Sequence, residues 1–236
     1  MVGMDKEILL SERLTMNASF VPYGASVADV GCDHGYVAIY LLQQGIAKRV
    51  LAMDVNSGPL QRAESNIQKR GLAAKIECRL SNGLERLKAG EVNTILIGGM
   101  GGLLMIRILT EGKDVVNLVD TLVLQPQSDL EKVRRFLHQT GFSIKAENMV
   151  KEDGKFYTAI QAVRGQEKYI TAEDYLFGQR LIQDKNPVCY DYLCMEQKNY
   201  HRIYERLKEN TGEKVAKRVL EVERYLTQIA KAISRF

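Results

Sequence analysis

One short segment of the sequence concentrates glycines and acidic side chains directly after a predicted strand. It reads Asp29-Val30-Gly31-Cys32-Asp33-His34-Gly35. Glycine lets the backbone approach a ligand closely, and the start of a following helix offers free N–H donors. The spacing is Gly-x-x-x-Gly rather than the Gly-x-Gly-x-x-Gly of dinucleotide binding, and Asp33 would repel a pyrophosphate. The segment therefore favours a ligand with an ammonium or sulfonium group over NAD.

Further candidate ligand residues follow the other predicted strands. Asp54 lies 23 residues after Gly31, where a carboxylate can bind both hydroxyls of a ribose. Ser81-Asn82-Gly83 offers an amide for an adenine edge, and Gly98-Gly99-Met100-Gly101-Gly102 lets the backbone approach a small group. Gln125-Pro126-Gln127 follows the fifth strand. Because open α/β sheets bind ligands at the carboxyl ends of their strands, these groups predict one site.

Several of these candidates also have a purely structural interpretation. Asp33 can cap a helix start instead of facing a cofactor or a target base, and His34 can bond to the backbone. Arg13 is equally compatible with a surface charge and with a ligand contact. We expect Met100 to contribute its backbone rather than its thioether. Cys32 is expected to be a small packing residue, because nothing near it in the sequence would clearly lower its thiol pKa.

The elements that position these residues alternate between short apolar runs and amphipathic stretches. Buried strands are predicted at residues 27–30, 50–53, 76–78, 94–97 and 121–124. Helices are predicted at residues 36–44, 60–70, 103–111 and 130–140, with Ser57-Gly58-Pro59 as a start signal for the second. Short, nearly all-apolar strands separated by helices are typical of a parallel sheet covered on both faces. The predicted fold class is α/β, with a doubly wound, mostly parallel sheet.

Two more strands and an N-terminal helix complete this first section. Residues 142–150 and 156–163 flank Lys151-Glu152-Asp153-Gly154, whose Asp-Gly pair indicates a hairpin. We therefore expect the sheet to end in an antiparallel strand pair, unlike a dehydrogenase-type nucleotide domain. A further helix is predicted over residues 6–20. The first domain is placed at residues 1–164.

From residue 165 onward the pattern is helical, and residues 165–236 are predicted to form a second domain, an α-helical coiled hairpin. Thr171-Ala172-Glu173-Asp174 has the spacing of a capping box and opens a helix that ends near residue 184, before Lys185-Asn186-Pro187. Longer helices are predicted at residues 188–209 and 213–234. The last one carries a heptad seam, made of Val215, Val219, Val222, Leu226, Ile229 and Ile233.

The tyrosines of the chain are concentrated in this second section. Seven of the eleven lie there: Tyr169, Tyr175, Tyr190, Tyr192, Tyr200, Tyr204 and Tyr225. The favoured interpretation is that they fill the seam, which the preceding helix completes with Tyr190, Leu193, Gln197, Tyr200, Tyr204 and Leu207. The alternative is that phenol rings stack on RNA bases. His138 and His201 are expected to be solvated helix residues.

Composition and charge exclude several classes of protein. The 236 residues are 45% apolar and 26% charged, which excludes a disordered or fibrous chain. A formal charge of +4 is weak evidence for nucleic acid. The four cysteines show no metal-ligand spacing, so we expect neither a zinc site nor a disulfide framework. Apolar runs are too short to span a membrane, and the start lacks a secretory signal, so a cytoplasmic chain with no membrane partner is expected.

The ordered set of motifs resembles the class I S-adenosylmethionine-dependent methyltransferases. More closely, it is similar to the bacterial TrmK family, which methylates N1 of adenine 22 in tRNA. The resemblance rests on Ser11-Glu12-Arg13-Leu14, Asp33-His34 after Gly31, Ser81-Asn82-Gly83-Leu84, Gly99-Met100-Gly101-Gly102, Leu124-Gln125-Pro126 and Gly154-Lys155-Phe156-Tyr157. Two departures are Gly35 in place of an expected Ala and Asp54 in place of an expected Glu. The second keeps the ribose-binding carboxylate.

The resemblance implies a seven-stranded sheet and an enzyme that transfers a methyl group from S-adenosyl-L-methionine to N1 of an adenine in tRNA. The product is S-adenosyl-L-homocysteine, and no metal is expected. The implied cofactor-binding residues are Arg13, Asp29, Gly31, Asp33, His34, Asp54, Val55, Asn82, Gly83, Gly98 and Met100. Gln125, Pro126 and Tyr157 are expected to bind substrate. Asp33 is the candidate catalytic residue, which would accept a hydrogen bond from the adenine amino group.

Alternative functions stay open at this point. A methyltransferase of the same fold that acts on a small molecule would need an apolar lid, which the sequence lacks. A non-catalytic RNA-binding protein with a vestigial pocket is disfavoured by the intact acidic residues, and an NAD-dependent oxidoreductase by the glycine spacing. The helical hairpin is expected to grip tRNA. No obligate protein partner is indicated, and the heptad seam permits a monomer or a dimer through the C-terminal helices.

Overall fold

The computed structural model describes residues 7–236, and within them seven strands form one sheet. The strands are β1 (Ala25–Val30), β2 (Ala47–Asp54), β3 (Ile76–Leu80), β4 (Thr94–Met100), β5 (Thr121–Pro126), β6 (Phe142–Glu152) and β7 (Lys155–Arg164). Their spatial order is β3-β2-β1-β4-β5-β7-β6. The chain crosses over from β3 at one edge to β4 beside β1. The strand order therefore reverses at the point between β1 and β4. Ligands of open α/β sheets bind at such a point.

Helices cover both faces of the sheet and form the C-terminal section. In chain order they are α1 (Glu12–Ser19), α2 (Tyr36–Gln43), α3 (Ser57–Lys69), α4 (Gly102–Glu111), α5 (Lys113–Val116), α6 (Leu130–Gln139), a π-helical turn (Asp174–Gly178), α7 (Gln179–Gln183), α8 (Pro187–Lys208) and α9 (Glu213–Ile233). The short α5 was not predicted, although it buries Val115 and Val116 against the core. No helix within residues 7–236 has the length and apolar character that crossing a membrane requires.

Strands β1 to β5 pair in parallel and bury most of their side chains. Every residue of β5 is buried, and so are the last five residues of β2. Apolar side chains pack on both faces of the sheet, in two large clusters. The predicted α/β class, with a sheet covered on both sides, is therefore confirmed.

Strands β6 and β7 form the predicted hairpin and pair antiparallel. Asp153 and Gly154 both adopt left-handed backbone conformations, with φ of 49° and 75°. This is the conformation that a tight two-residue hairpin turn requires, and Asp-Gly is among the sequences that favour it. Because β7 runs antiparallel to β5, the turn lies at the same edge of the sheet as the carboxyl end of β5.

Two predicted helix starts differ from the structure. The helix expected over residues 6–20 begins at Glu12, with Ser11 as its N-cap, and residues 7–11 are not helical; residue 6 lies outside the described residues. Helix α3 has Asn56 as its N-cap rather than a cap at Ser57. The backbone N–H of Asn56 donates to the Asp54 carboxylate at 2.8 Å. This bond holds Asn56 in an extended conformation, and the helix begins at the next residue, Ser57.

The predicted capping box at residues 171–174 does not form. The Thr171 hydroxyl is buried and has no hydrogen-bond partner among residues 7–236. Asp174 instead accepts a hydrogen bond from Arg235 at 2.7 Å. A long-range ion pair has therefore displaced the local capping interaction.

The single helix expected from this point to residue 184 is interrupted at Gly178, whose φ is 98°. A Cβ at Gly178 would lie 2.7 Å from the carboxylate of Glu147 and 2.9 Å from the guanidinium of Arg134. These two side chains form a buried ion pair. The chain passes so close to the pair that only glycine fits, and the π-helical turn ends there.

Helices α8 and α9 form the predicted antiparallel hairpin. Leu193, Val222 and Ile229 are buried between the helices or at their base. The rings of Tyr200 and Tyr225 lie 4.4 Å apart, so tyrosines do fill part of the seam. The prediction for Tyr190 is wrong: this residue is 41% exposed. Its neighbour Cys189 points into the core instead, because the base of α8 packs against β6.

The direction of the hairpin follows from two contacts at its base. The side chain of Asn186 donates to Asn148 in β6 at 2.9 Å. Further along α8, the centre of the Tyr192 ring lies 5.3 Å from the centre of the Phe156 ring, next to the β6–β7 turn. Helix α8 therefore runs toward the carboxyl edge of the parallel strands, and its 16 residues after Tyr192 extend about 24 Å. The domain boundary at residue 164 stays a prediction.

His138 is not the solvated residue that its helical position suggested. Its side chain is only 5% exposed. The ring packs edge-on against Tyr169 at 4.6 Å, and burial lowers its pKa. The segment after β7 covers α6, which the periodicity of α6 alone could not reveal. His201 is exposed, as predicted.

Candidate active site

Two adjoining cavities lie at the carboxyl ends of the parallel strands. The first, here the Asp29 chamber, has a volume of about 280 Å³. The second, here the Asp54 chamber, has a volume of about 350 Å³. They share Gly31, Gly98 and Gly99 as lining residues. The predicted site residues at the ends of β1, β2 and β4 are thus brought together along one cleft.

Met100 lies at the junction of the two chambers. Gly31 has a left-handed φ of 78°, and a Cβ built there would overlap the methyl group of Met100. The Met100 side chain therefore packs over the Gly31 backbone. Met100 was expected to contribute its backbone rather than its thioether; the residue lines the Asp54 chamber, and its side chain also contacts Gly31.

Asp29 is a buried carboxylate without a complete set of partners. Its Oδ2 has no hydrogen-bond partner in the described part of the chain, although the residue lines the Asp29 chamber. Burial, together with the negative charge of Asp54, raises the pKa of Asp29 from 3.8 to about 7. A cationic group in the chamber would supply the missing hydrogen bonds and offset the cost of burying the carboxylate.

Asp54 fixes the loop after β1 as well as its own. One carboxylate oxygen accepts from the backbone N–H of Asp33 at 3.3 Å, and the other accepts from Asn56 at 2.8 Å. Each oxygen has a second lone pair that can accept from a ligand. Val55, which follows it, is largely exposed and lines the same chamber. Asp54 is therefore oriented by backbone donors at the position that was predicted for ribose binding.

Asp33 does not cap the following helix. The N-cap of α2 is Gly35, so the structural interpretation of Asp33 as a cap is wrong. Its backbone is in the left-handed region, with φ of 48°, a conformation that costs a non-glycine residue roughly 1–2 kcal/mol. Its side chain is 68% exposed, 3.5 Å from His34 Nε2, and lines the Asp29 chamber. A strained, exposed carboxylate at a cleft is typical of a functional position.

His34 and Tyr36 form a stacked pair at the rim of the same chamber. Their ring centroids are 5.5 Å apart and their planes differ by 13°. The carbonyl of His34 accepts a hydrogen bond from Asn66 at 3.0 Å, which leaves the ring free to stack. Tyr36 was not among the predicted site residues. Its position at the start of α2, directly after the glycine-containing segment, was the available signal.

Arg13 joins the N-terminal helix to the end of β5. Its guanidinium donates to the Gln125 side-chain oxygen at 3.0 Å and lies 5.3 Å from the centre of the Tyr157 ring. The same oxygen accepts from the Gly99 backbone N–H at 3.1 Å. Arg13 is therefore part of the cleft rather than a surface charge. Pro126 follows Gln125 as the last residue of β5 and is paired with Met100 of β4 in the sheet.

Asn82 and Gly83 form the floor of the Asp54 chamber after β3. The Asn82 amide donates to Glu85 at 2.8 Å, which leaves its oxygen available. Gly83 has a φ of 54° and lies so close to Ile108 that a Cβ would approach it to 3.0 Å. Gly83 therefore serves close packing against α4 as well as access to the chamber.

The remaining predictions concern metals and cysteines. Residues 7–236 contain no cluster of three or more His, Cys, Asp or Glu side chains arranged to hold a metal ion. Cys32 is buried, and burial together with the charge of Asp29 raises the pKa of its thiol far above the ordinary value. The interpretation of Cys32 as a packing residue is confirmed.

Comparison with known proteins shows relatives over most of the chain. The family described as "Methyltransferase domain" matches residues 10–160. The chain is 33% identical over 208 residues to the tRNA (adenine(22)-N(1))-methyltransferase of Bacillus subtilis (strain 168), covering 86% of this chain and 87% of that enzyme.

Solved structures share the fold over nearly the whole chain. Streptococcus pneumoniae Sp1610, in complex with S-adenosyl-L-methionine, is 34% identical with a TM-score of 0.86, covering 95% of this chain and 100% of that one. TrmK of M. capricolum, in complex with S-adenosyl-homocysteine, is 28% identical with a TM-score of 0.85, covering 97% and 99%. The resemblance drawn from the motifs is confirmed, and the chain belongs to the tRNA (adenine(22)-N(1))-methyltransferase family, the TrmK family.

Proposed function

We propose that this chain transfers a methyl group from S-adenosyl-L-methionine to N1 of an adenine in tRNA, with adenine 22 as the target. The observation that carries the proposal is the joined pair of chambers, in which an unpaired buried carboxylate and an oriented second carboxylate flank the same glycines. Family membership supports the reaction and the substrate class. The methyl donor supplies an electrophilic methyl group on a sulfonium.

The residues present fit this cofactor. In the Asp54 chamber, Asp54 can accept from the ribose hydroxyls, Val55 can cover one face of the adenine, and Asn82 can contact its edge. In the Asp29 chamber, the unpaired Oδ2 of Asp29 can accept from the ammonium group of the amino-acid part. Gly31 and Gly98, with Met100 beside them, leave room at the junction for the part that links the two.

The adenine needs little activation by the protein. Neutral adenine N1 carries an in-plane lone pair, so it can displace the methyl group without a strong base. Positioning is then the main contribution, and it can lower a barrier by roughly 7–11 kcal/mol. Since N1 lies on the pairing edge, the base must be unpaired or flipped out of the helix to react.

Asp33 is the residue we assign to the target base. Its exposed carboxylate can accept a hydrogen bond from the adenine amino group and stabilise the positive charge that methylation creates on the ring. His34, stacked on Tyr36, lies beside it and can also contact the cofactor. Gln125, Pro126 and Tyr157, held together with Arg13 at the end of β5, are assigned to the substrate side.

The helical hairpin is proposed to hold the tRNA. Lys198, Arg202 and Arg206 are exposed at intervals of four residues along α8, so they form one basic stripe. Lys208 and Arg218, by contrast, pair with Glu205 and Glu221. Phosphate contacts by the stripe would make binding depend steeply on salt. A tRNA substrate and four free cysteines support a cytoplasmic site of action.

Methylation of unmodified tRNA tests the proposal. The protein is incubated with labelled S-adenosyl-L-methionine and unmodified bulk tRNA, which is then digested to nucleosides for mass spectrometry. We expect 1-methyladenosine, absent from a sample that contains Asp29→Ala. Cofactor binding by calorimetry without methylation of any nucleoside would contradict the tRNA assignment and favour a small-molecule substrate. If the protein binds tRNA but does not bind S-adenosyl-L-methionine, a non-catalytic RNA-binding protein would be favoured.

A further inference from the structure

Helix α1 carries a buried amide whose hydrogen bonding is incomplete. Asn17 is 1% exposed, and its Oδ1 has no hydrogen-bond partner anywhere in residues 7–236. Buried side-chain oxygens are nearly always paired, because an unpaired one loses its hydration without compensation. The sequence analysis did not identify Asn17. In the structure, its Oδ1 can accept a hydrogen bond that no donor within residues 7–236 supplies.

The amide is directed at the cleft. Asn17 lines the Asp29 chamber together with Asp29 itself. A Cβ at Gly98 would lie 2.8 Å from Asn17 Nδ2, so the amide packs directly on the glycine backbone where the two chambers meet. The unpaired Oδ2 of Asp29 lines the same chamber. Two buried side chains on different elements therefore leave unpaired acceptors at one place.

We propose that Asn17 is a further cofactor-binding residue, which shares with Asp29 the ammonium group of the amino-acid part of S-adenosyl-L-methionine. This inference rests on the proposed function. An ammonium group offers three N–H donors, and a single carboxylate oxygen does not satisfy them all. Asn17 Oδ1 supplies a second, neutral acceptor. The helix that carries it also carries Arg13, which lines the same chamber, so α1 contributes both residues to the cleft.

A role in binding predicts opposite effects on affinity and on stability. Replacing Asn17 by leucine, which has a similar volume, removes a buried unpaired acceptor and is expected to raise the melting temperature. The same change removes a cofactor contact and is expected to weaken binding. A residue that merely supports the fold would lower both together.

The test compares two ligands by calorimetry. S-adenosyl-L-homocysteine carries the amino-acid part, whereas 5′-methylthioadenosine lacks it and retains the adenosine. We expect Asn17→Ala, which cannot block the chamber sterically, to bind S-adenosyl-L-homocysteine about tenfold or more weakly and 5′-methylthioadenosine as tightly as the unchanged protein. Thr15→Ala, an exposed change on the same helix, is the matched control and should bind both ligands normally.

Other outcomes distinguish a failure of the role of Asn17 from a failure of the proposed function. Unchanged affinity of Asn17→Ala for S-adenosyl-L-homocysteine would overturn the inference, and so would equal weakening for both ligands, which would indicate a displaced helix. If Asn17→Ala does not fold, Asn17→Leu serves in its place, with its melting temperature as the second readout. If the unchanged protein binds neither ligand, the proposed function fails and not only the role of Asn17.

Discussion

The Nε of Arg134 donates to the Glu147 carboxylate at 2.7 Å, and the two side chains are 1% and 0% exposed. The same guanidinium donates to the backbone carbonyls of Tyr175 and Leu176 at 2.8 and 3.0 Å. One buried cation thus joins α6, β6 and the π-helical turn that begins the C-terminal section. This contact is one of those that attach the C-terminal section to the sheet.

Removing the cation is expected to destabilise the protein strongly. Arg134→Met leaves Glu147 buried and unpaired, so the free energy of unfolding should fall by about 3–5 kcal/mol. Urea denaturation measures this loss. Lys132→Met, which removes an exposed ion pair of the same helix, should cost about 0.5 kcal/mol or less. If the double variant Arg134→Met/Glu147→Met recovers stability, the unpaired Glu147 charge is the cause of the loss. A loss in Lys132→Met as large as that in Arg134→Met would contradict the prediction.

Glu152 is expected to position Arg13 for the reaction. Its carboxylate accepts from the backbone N–H of Arg13 at 3.0 Å. This bond and the one from Ser11 hold the pKa of Glu152 below its ordinary value. Glu152→Gln keeps the shape but weakens the anchor of α1, so we expect methyl transfer to fall about fivefold to tenfold. Initial rates at saturating cofactor measure it, with the exposed Glu12→Gln as control. A rate equal to that of the control would remove Glu152 from this role.

Cofactor affinity is expected to depend on the ionisation of Asp29. With its pKa raised to about 7, the carboxyl is protonated in much of the ligand-free protein at lower pH. Binding an ammonium group requires the carboxylate, so affinity should fall nearly tenfold per pH unit below about 7. Calorimetry with S-adenosyl-L-homocysteine at pH 5.5–8 should show a proton released on binding below about pH 7 and little or none near pH 8. A flat pH profile in the unchanged protein, or the same slope in Asp29→Asn, would contradict this.

The same pKa shift also predicts how the stability of the ligand-free protein changes with pH. The folded pKa of Asp29, about 7, lies above its ordinary value of 3.8, so the folded state binds more protons between these values. This contribution to stability is present at low pH and is lost as pH rises toward 7. In Asp29→Asn it should disappear, which melting temperatures across this range can measure.

Gly31 is expected to tolerate a side chain poorly. Its left-handed φ costs any other residue strain, and a Cβ would also displace the methyl end of Met100. Gly31→Ala should therefore weaken cofactor binding, measured by calorimetry, about tenfold or more. Gly71→Ala is the matched control, because Gly71 also has a left-handed φ of 67° but no atom within 4 Å of a built Cβ. It should lose about 1 kcal/mol of stability and no affinity. Normal binding by Gly31→Ala would contradict the crowding at the junction.

The outer part of the helical hairpin is expected to bind tRNA without supporting the fold. Residues 204–221 lie beyond the Tyr200–Tyr225 contact and include Arg206 of the basic stripe. Replacing them by a short glycine linker should weaken tRNA binding at least tenfold and leave cofactor affinity unchanged. Filter binding at several salt concentrations measures the first, and calorimetry the second. Loss of cofactor binding as well would mean that this part of the hairpin is chiefly structural.

The sequence predicted those parts of the fold that local patterns determine. Apolar runs in β1 to β5 indicate a buried parallel sheet, because each residue there is covered on both faces. The Asp153-Gly154 pair determines its own turn through the left-handed conformations that it favours. The sequence also predicted that Gly31 and Asp54 lie close together, because Gly31 directly follows β1, Asp54 ends β2, and the carboxyl ends of parallel strands lie at one edge of the sheet.

Contacts between distant parts of the chain explain what the sequence missed. Asn17 and Glu152 bear on the site only because α1 packs against β6, and the Arg13–Glu152 contact spans 139 residues. Thr171 lost its predicted capping partner to Arg235, 61 residues beyond Asp174. No local periodicity encodes such pairings, so His138 looked solvated until the segment that covers it was known.

The course of α8 has a consequence for substrate choice. The helix is anchored next to the β6–β7 turn, which also carries Glu152 and leads into Tyr157 at the cleft. If the hairpin holds tRNA as proposed, an RNA lying along α8 would meet the cleft at a fixed distance from its binding site on the helix. The enzyme would then select an adenine by its distance from that binding site in the folded RNA, and thus by the shape of the RNA.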